Sequence, residues 1–172
     1  MKLQSTDFEL FGLPTRFAQD RAVIDARWKD LQRQAHPDRF ASEGASAQRL
    51  ATQWSVRINE AHQRLKNPLL RAAYLCELRG VPIRAHDNTA MPPDFLMQQM
   101  AWREALDEAD DAPALEALLD ETAASRKQTL QDVARHLDQE GDAAAAAQGV
   151  RRLMFIERFA EEVEARLDRM SA

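Results

Sequence analysis

The sequence predicts an all-α protein, a helical hairpin with short flanking helices followed by a three-helix antiparallel bundle, and three observations support this fold class. The 172 residues contain only 5 Gly and 1 Tyr beside long runs of strong helix formers such as Ala, Leu, Glu and Arg. No stretch longer than a few residues shows the apolar–polar alternation of a strand. Apolar residues instead recur at the spacing of one helix face.

The first part, residues 1–78, begins with short helical signals. Ser5 or Thr6 can cap a short helix that stops at Gly12. A second helix starts near Asp20 and must end by His36, because the residue before a proline is pushed out of the α region. Its apolar stripe is Ile24, Trp28, Leu31 and Ala35.

A loop over residues 37–44 leads to a third helix, and Asn67 can cap a fourth that begins at Pro68. The apolar stripe of the third helix is Leu50, Trp54, Ile58, Ala61 and Leu65. The second and third helices would pack together through these stripes as an antiparallel hairpin.

The clearest linker is residues 79–93, which contain three prolines and a glycine. Three long helical patterns follow, at about 94–108, 112–140 and 142–170. The second carries Leu115, Leu118, Leu119, Leu130, Val133 and Leu137, and the third carries Leu153, Ile156, Val163 and Leu167. Because their connections are short, we expect residues 94–172 to form an antiparallel three-helix bundle.

Composition limits the classes of function. A single cysteine, Cys76, excludes an internal disulfide and a multi-cysteine zinc site, and the four His are scattered, so we expect no metal and no cofactor. No stretch approaches the roughly 20 apolar residues of a membrane span, which favours a cytoplasmic protein without membrane association. Residues 1–75 carry a net charge of +4 and residues 76–172 a net charge of −9, which suggests two different partner surfaces.

The sharpest local feature is the tripeptide His36–Pro37–Asp38, which lies between two amphipathic helices. Proline stiffens the turn, and Asp38 places an acceptor-only carboxylate at its tip, where a cation of another protein can pair with it. Lys29 and Arg33 are four residues apart on the face opposite the apolar stripe. A basic stripe beside a rigid acidic tip is suited to docking on an acidic partner.

These segments resemble the J-domain of the HscB family of co-chaperones. The resemblance is carried by the residue 8–13 opening, by the run from Trp28 to Phe40 and by residues 67–75. J-domains stimulate ATP hydrolysis by a heat-shock chaperone, for HscB proteins the HscA type. By this resemblance the residues that bind the chaperone are His36, Pro37, Asp38, Lys29, Arg33 and Arg27.

The helix near residues 94–108 has more apolar surface than bundle packing needs. On a helical wheel Phe95, Trp102 and Leu106 cluster within about 40°, which suits packing. A second set, Leu96, Met97 and Met100 with Glu104, projects roughly 100–200° away. Exposed apolar patches of this kind often mark interfaces, and methionine is well suited to them. The alternative is that this helix lies between the bundle and the first domain and buries both faces within one molecule.

This helix resembles the HscB segment that binds the IscU iron–sulfur scaffold, which implies that Leu96, Met97, Met100 and Glu104 bind a scaffold protein. Phe155, which points about 100° away from the core stripe of the last helix, matches an aromatic of the same family contact. The chain departs from the family at Ala101, where an acidic residue is usual. We therefore expect the scaffold-binding surface of this chain to be less polar than is usual in the family.

Three other functions stay open from the sequence. His36 and Asp38 could form an acid–base pair of an enzyme, although they flank a proline and no nucleophile, phosphate loop or metal set accompanies them. Nucleic-acid binding by the basic half is disfavoured, because the charge is modest and no basic run exists. A J-domain protein that serves a general chaperone or another client would differ only in what covers the apolar patch.

Overall fold

The computed structural model describes residues 2–83 and 91–171, and all of the regular structure in these ranges is helical. Seven α-helices are described there, and a 3-10 helix, Pro37–Glu43, separates the second from the third. The α-helices are α1 Asp7–Phe11, α2 Arg21–Ala35, α3 Ala45–Lys66, α4 Pro68–Leu78, α5 Pro93–Glu108, α6 Ala112–Asp138 and α7 Ala143–Ser171. The all-α prediction is therefore confirmed.

The predicted helix starts are fixed by side-chain caps. Thr6 Oγ1 accepts from the backbone N–H of Glu9 at 3.1 Å, and Asp20 Oδ1 accepts from that of Ala22 at 2.9 Å. The Asn67 carboxamide oxygen accepts from two N–H groups of α4 at 3.0 and 3.2 Å. Each cap satisfies amide groups that the first turn of a helix leaves without partners.

The segment predicted as a loop after Pro37 is the 3-10 helix. Proline occupies its first position, where the missing N–H costs nothing, and His36 Nδ1 accepts from the backbone N–H of Asp38 at 3.2 Å. The turn is therefore held by local hydrogen bonds instead of running as an irregular loop.

By its contacts the chain divides into two compact units, one ending at Leu75 and one beginning at Cys76. This division lies three residues before the predicted end of the first domain. Arg79 Nη1 donates to the carbonyl oxygen of Leu137 at 2.7 Å, and Arg151 Nε donates to that of Ile83 at 2.9 Å. Within the predicted linker, Arg79 is thus bonded to α6 and Ile83 to α7, and residues 84–90 lie outside the described residues.

In the first unit, α1, α2 and α3 enclose a core. Its largest fully buried side chains are Phe8, Phe11, Ile24, Ile58, Leu65 and Leu75. Leu50, which we placed on the buried stripe of α3, is instead 49% exposed. The reason is that it faces a groove between α2, the 3-10 helix and α3 that no side chain fills.

In the second unit, α6 and α7 pack along their length and α5 adds to them. The shared core contains Phe95, Trp102, Leu106, Leu115, Leu118, Ile156, Phe159 and Val163. Leu119 and Leu130 of the predicted α6 stripe are only half-buried, whereas Thr122 and Thr129 are buried. Both threonine hydroxyls donate to backbone carbonyls one turn earlier, which makes their burial tolerable. Among the described residues no helix has both the length and the apolar character needed to cross a membrane.

Candidate binding surfaces

The His36–Pro37–Asp38 turn presents one carboxylate to solvent. Since α2 ends at Ala35 and the 3-10 helix starts at Pro37, His36 is the single residue between them, with an extended backbone (ψ 128°). The Asp38 side chain is 93% exposed. Arg39 reaches back and donates from Nη1 to the carbonyl oxygen of Arg33 at 3.1 Å, which ties the turn to the end of α2. The turn therefore holds an exposed acceptor on a restrained backbone.

Although a proline separates them in the sequence, the histidine and the aspartate of this turn approach each other. His36 Nδ1 lies 3.6 Å from Asp38 Oδ2. The same Nδ1 accepts the backbone N–H of Asp38, so in the neutral imidazole the proton is on Nε2. The nitrogen that faces the carboxylate is then an acceptor, which is the wrong tautomer for proton donation to Asp38.

The three basic side chains assigned to α2 have different surroundings. Lys29 and Arg33 are both exposed, in agreement with a solvent-facing stripe. Arg33 forms an ion pair with Asp30 one turn away, so the carboxylate partly neutralises the positive charge that Arg33 presents to a partner. Arg27 Nη1 donates to the carbonyl oxygen of Phe11 at 3.4 Å, so this guanidinium also joins α2 to the end of α1.

A polar set that sequence reasoning missed joins α2 to α3. The Trp28 ring stacks on His62 with centroids 4.4 Å apart, and its Nε1 donates to Asn59 Oδ1 at 2.9 Å. His62 Nε2 lies 2.8 Å from Asp25 Oδ1, and this hydrogen bond lowers the pKa of the Asp25 carboxyl. Gln32 Nε2 donates to the same Asn59 oxygen at 2.6 Å. Trp28 therefore joins α2 to α3 through the hydrogen bond of its indole N–H, in addition to the apolar packing that we predicted.

A second missed set surrounds Asp7, whose side chain is fully buried. Arg64 donates to it from Nε at 2.6 Å and from Nη2 at 2.8 Å, and Arg57 Nη1 lies 2.7 Å from Oδ1. The pKa of Arg64 is raised chiefly by this hydrogen bond, while burial raises the pKa of Tyr74, whose hydroxyl accepts from the Asp7 backbone N–H at 3.0 Å. Asp7 thus fixes α1 against α3 and α4.

The apolar surplus of α5 is on the surface of the second unit. Leu96 is 43% exposed, Met97 70% and Met100 71%. Glu104 is exposed one turn after Met100, on the same side of the helix. We call these four residues the α5 patch. The structure places the predicted packing stripe, Phe95, Trp102 and Leu106, in the core. Within the second unit, therefore, α5 buries one face and leaves the other on the surface.

Phe155 has a different environment from the α5 patch. It is half-buried and packs against the buried side of α5, edge-on to Phe95 at 5.6 Å and stacked on Trp102 at 6.3 Å between centroids. It also stacks on Phe159 at 5.8 Å. These contacts make Phe155 part of the bundle edge, so any partner would reach only its exposed part.

One group of possible metal ligands comes together at the turn between α6 and α7. The ligand atoms of His136, Glu140 and Asp142 lie within 4.8 Å of one another, which the sequence spacing had not indicated. All three are already engaged: Glu140 accepts from Arg135 and pairs with His136, and Asp142 caps α7. These contacts account for the group as a helix-terminal ion-pair network.

Comparison with known proteins gives a consistent family. Residues 91–164 match the family model described as the HSCB C-terminal oligomerisation domain. A co-chaperone HscB homolog of Burkholderia multivorans is 49% identical over 173 residues, covering 99% of this chain and 98% of that protein. One from Bordetella petrii is 50% identical over 159 residues, covering 92% of this chain and 94% of that one.

Solved structures agree with this result. The chaperone HscB from Vibrio cholerae superposes with a TM-score of 0.83 at 36% identity, covering 96% of this chain and 99% of that chain. The human co-chaperone HscB has a TM-score of 0.90 at 24% identity, covering 96% and 84%, which supports the fold alone. With near-complete coverage by relatives at about half identity, the chain belongs to the HscB family of co-chaperones.

Proposed function

We propose that this protein stimulates the ATPase of an HscA-type chaperone through its first unit and carries an IscU-type iron–sulfur scaffold on its second unit. It would deliver the scaffold to the chaperone and so aid the maturation and transfer of iron–sulfur clusters. The observation that carries the proposal is the 93% exposed carboxylate of Asp38 on a proline-stiffened turn, in a chain of the HscB family.

On the chaperone side, Asp38 acts as the principal contact. Its carboxylate accepts hydrogen bonds from a cationic side chain of the chaperone, and charge-assisted bonds of this kind are the stronger ones. Lys29 and Arg33 add attraction to an acidic surface, which speeds the encounter more than it tightens the complex. His36 supports the turn by accepting the Asp38 backbone N–H. Because Arg27 already contacts the Phe11 carbonyl, we assign it the smallest part in docking.

On the scaffold side, the α5 patch supplies the anchor. Two methionines that are 70% and 71% exposed lose a large apolar area when a partner covers them. Glu104 at the edge of the patch provides one polar contact at the rim, where charges mainly select the partner. Phe155 contributes through its exposed part only.

The two surfaces work together because one molecule holds both partners. Tethering turns the second binding event into an intramolecular one and raises the effective concentration of scaffold at the chaperone. Neither step needs a covalent intermediate or a cofactor in this chain. The iron–sulfur cluster is cargo of the scaffold.

The test is steady-state ATP hydrolysis by the HscA-type chaperone, with this protein added, in the presence and absence of the IscU-type scaffold. We expect stimulation that rises further, and at lower concentration, when scaffold is present. Asp38→Asn removes the charge with little change of shape and should abolish stimulation while scaffold binding persists. Asp110→Asn, an exposed carboxylate between α5 and α6, is the matched control and should behave as the unmodified protein.

Other results would redirect the proposal. Stimulation that ignores the scaffold would keep the J-domain function and assign the α5 patch to another client. Stimulation of a general heat-shock chaperone alone would replace the HscA-type partner. Equal loss of stimulation and scaffold binding in Asp38→Asn would contradict the division of labour between the two units.

A further inference from the structure

The groove between α2, the 3-10 helix and α3 encloses an open volume of about 380 Å³. Its walls are mainly apolar and include Leu31, Phe40, Leu50 and Trp54. We call this the hairpin pocket. The groove opens to solvent, and its volume is within the range of about 300–1,000 Å³ of pockets that hold ligands. An apolar cavity of this kind is suited to an apolar occupant.

Small side chains are the cause of the opening. Three of the lining positions are alanines, Ala35, Ala47 and Ala51. Leu50 is 49% exposed at the wall, so an apolar side chain of this unit lies in water unless something covers it. The pocket is therefore formed by residues of the interface between α2 and α3, at a place where their side chains are too small to fill the space.

The pocket lies close to the tripeptide turn. Ala35 directly precedes His36, and Phe40 is two residues after Asp38. Consecutive Cα atoms are about 3.8 Å apart, so the backbone of both lining residues lies within roughly 12 Å of Asp38. An interface of ordinary size can therefore cover both the Asp38 carboxylate and the pocket.

We propose that the hairpin pocket receives an apolar side chain of the same chaperone whose ATPase the first unit stimulates. This inference rests on the function proposed above. Asp38 supplies the charged contact and the pocket supplies an apolar anchor beside it. The combination of a buried apolar anchor with a polar contact at its rim is the usual composition of an interface centre. The occupant is an aliphatic or aromatic side chain next to a cationic one.

The test fills the pocket from inside. Ala51, which is 4% exposed, is replaced by Leu, so that new methyl groups occupy the volume. We expect the thermal midpoint of the first unit to rise by about 2–8 °C, because cavity filling stabilises. The concentration that gives half-maximal ATPase stimulation should rise about tenfold or more, the affinity carried by one buried aliphatic side chain. Ala117→Leu on the exposed face of α6 is the matched control and should leave that concentration unchanged.

Leu50→Ser provides a second variant, which weakens the wall without filling the pocket and should also raise the half-maximal concentration. Ala51→Leu and Leu50→Ser that both stimulate like the unmodified protein would overturn the inference, provided that Asp38→Asn abolishes stimulation in the same assay. If Asp38→Asn stimulates normally, the proposed function fails instead. A change in sedimentation with Ala51→Leu alone, from dimer to monomer, would assign the pocket to a second copy of this chain and also overturn the proposal.

Discussion

Replacement of Asp7 by Asn should destabilise the first unit more than any surface substitution. The carboxylate is 0% exposed and is surrounded by Arg57, 15% exposed, and Arg64, 39% exposed. Breaking a buried ion pair by removing one partner costs about 3–5 kcal/mol, because the other charge stays buried and unpaired. Water reaches Arg64 and screens its share, so the lower end applies and we expect about 3 kcal/mol.

For a unit of this size, 1 kcal/mol corresponds to about 4–8 °C in the unfolding midpoint, so the expected decrease is roughly 12–24 °C. The assay is thermal unfolding for the midpoint and urea unfolding for the free energy, each followed by the indole N–H resonances of the tryptophans. Trp28 and Trp54 report the first unit and Trp102 reports the second in the same titration.

The control for Asp7→Asn is Glu9→Gln, an exposed carboxylate in the same helix, which should change the free energy of unfolding by less than about 0.5 kcal/mol. A loss below about 1 kcal/mol for Asp7→Asn would refute the reasoning, because the buried charge would then be dispensable. Equal changes in the unfolding midpoints reported by all three tryptophans would show that the substitution acts on both units.

Four further substitutions or sets follow from the structure. Changing the three apolar residues of the α5 patch to Ser should weaken scaffold binding at least tenfold, measured by calorimetry, with little change in stability because they are already exposed; a lower melting temperature would mark them as core. Phe155→Ala should cost about 2 kcal/mol of the second unit's stability, because half of a buried aromatic is lost, and unchanged urea unfolding would disprove its packing role. His62→Phe should raise the pKa of the Asp25 carboxyl in an NMR titration. With His62 present, the pKa of Asp25 in the folded protein is below its pKa in the unfolded chain. This contact therefore stabilises the fold at pH values above the unfolded-state pKa, and the stabilisation is lost as the pH falls through the folded-state pKa. Gly149→Ala should destabilise α7 by about 1 kcal/mol, since the new Cβ would lie 2.5 Å from Val133 Cγ2, and increased stability would show that Val133 can move aside.

Much of the candidate site could be anticipated, because its signals are local. The turn at Pro37 follows from the backbone restriction of proline. The exposed stripe with Lys29 and Arg33 and the surplus apolar face of α5 follow from spacing on a helix. The structure confirms the exposure of Met97 and Met100. What these surfaces bind stays a prediction, since the binding roles come from resemblance and the partners are proposals.

The environment of Phe155 could not be anticipated in the same way. Its angle on α7 predicted a residue outside the core stripe, which agrees with its half-buried state. That angle did not show that Phe95 and Trp102 of α5 would stack on it, because those rings come from a different helix. A helical wheel describes one helix alone, and packing depends on the faces of its neighbours.

The sequence by itself determined where α1, α2 and α4 begin, where α2 ends, and most of the apolar face of each long helix. Capping side chains, prolines and periodicity act within a few residues, so Asp20 and Asn67 could be identified as caps without a fold. For the first helix the sequence offered Ser5 or Thr6, and the structure shows that Thr6 is the cap. Only the tertiary structure decided which polar groups meet inside the hairpin. Asp7 pairs with Arg57 and Arg64, which lie 50 and 57 positions later in the chain. Leu50 stays half exposed because small residues on α2 and on α3 itself leave a pocket open. Such contacts depend on how separate helices are brought together, and no local pattern records that arrangement.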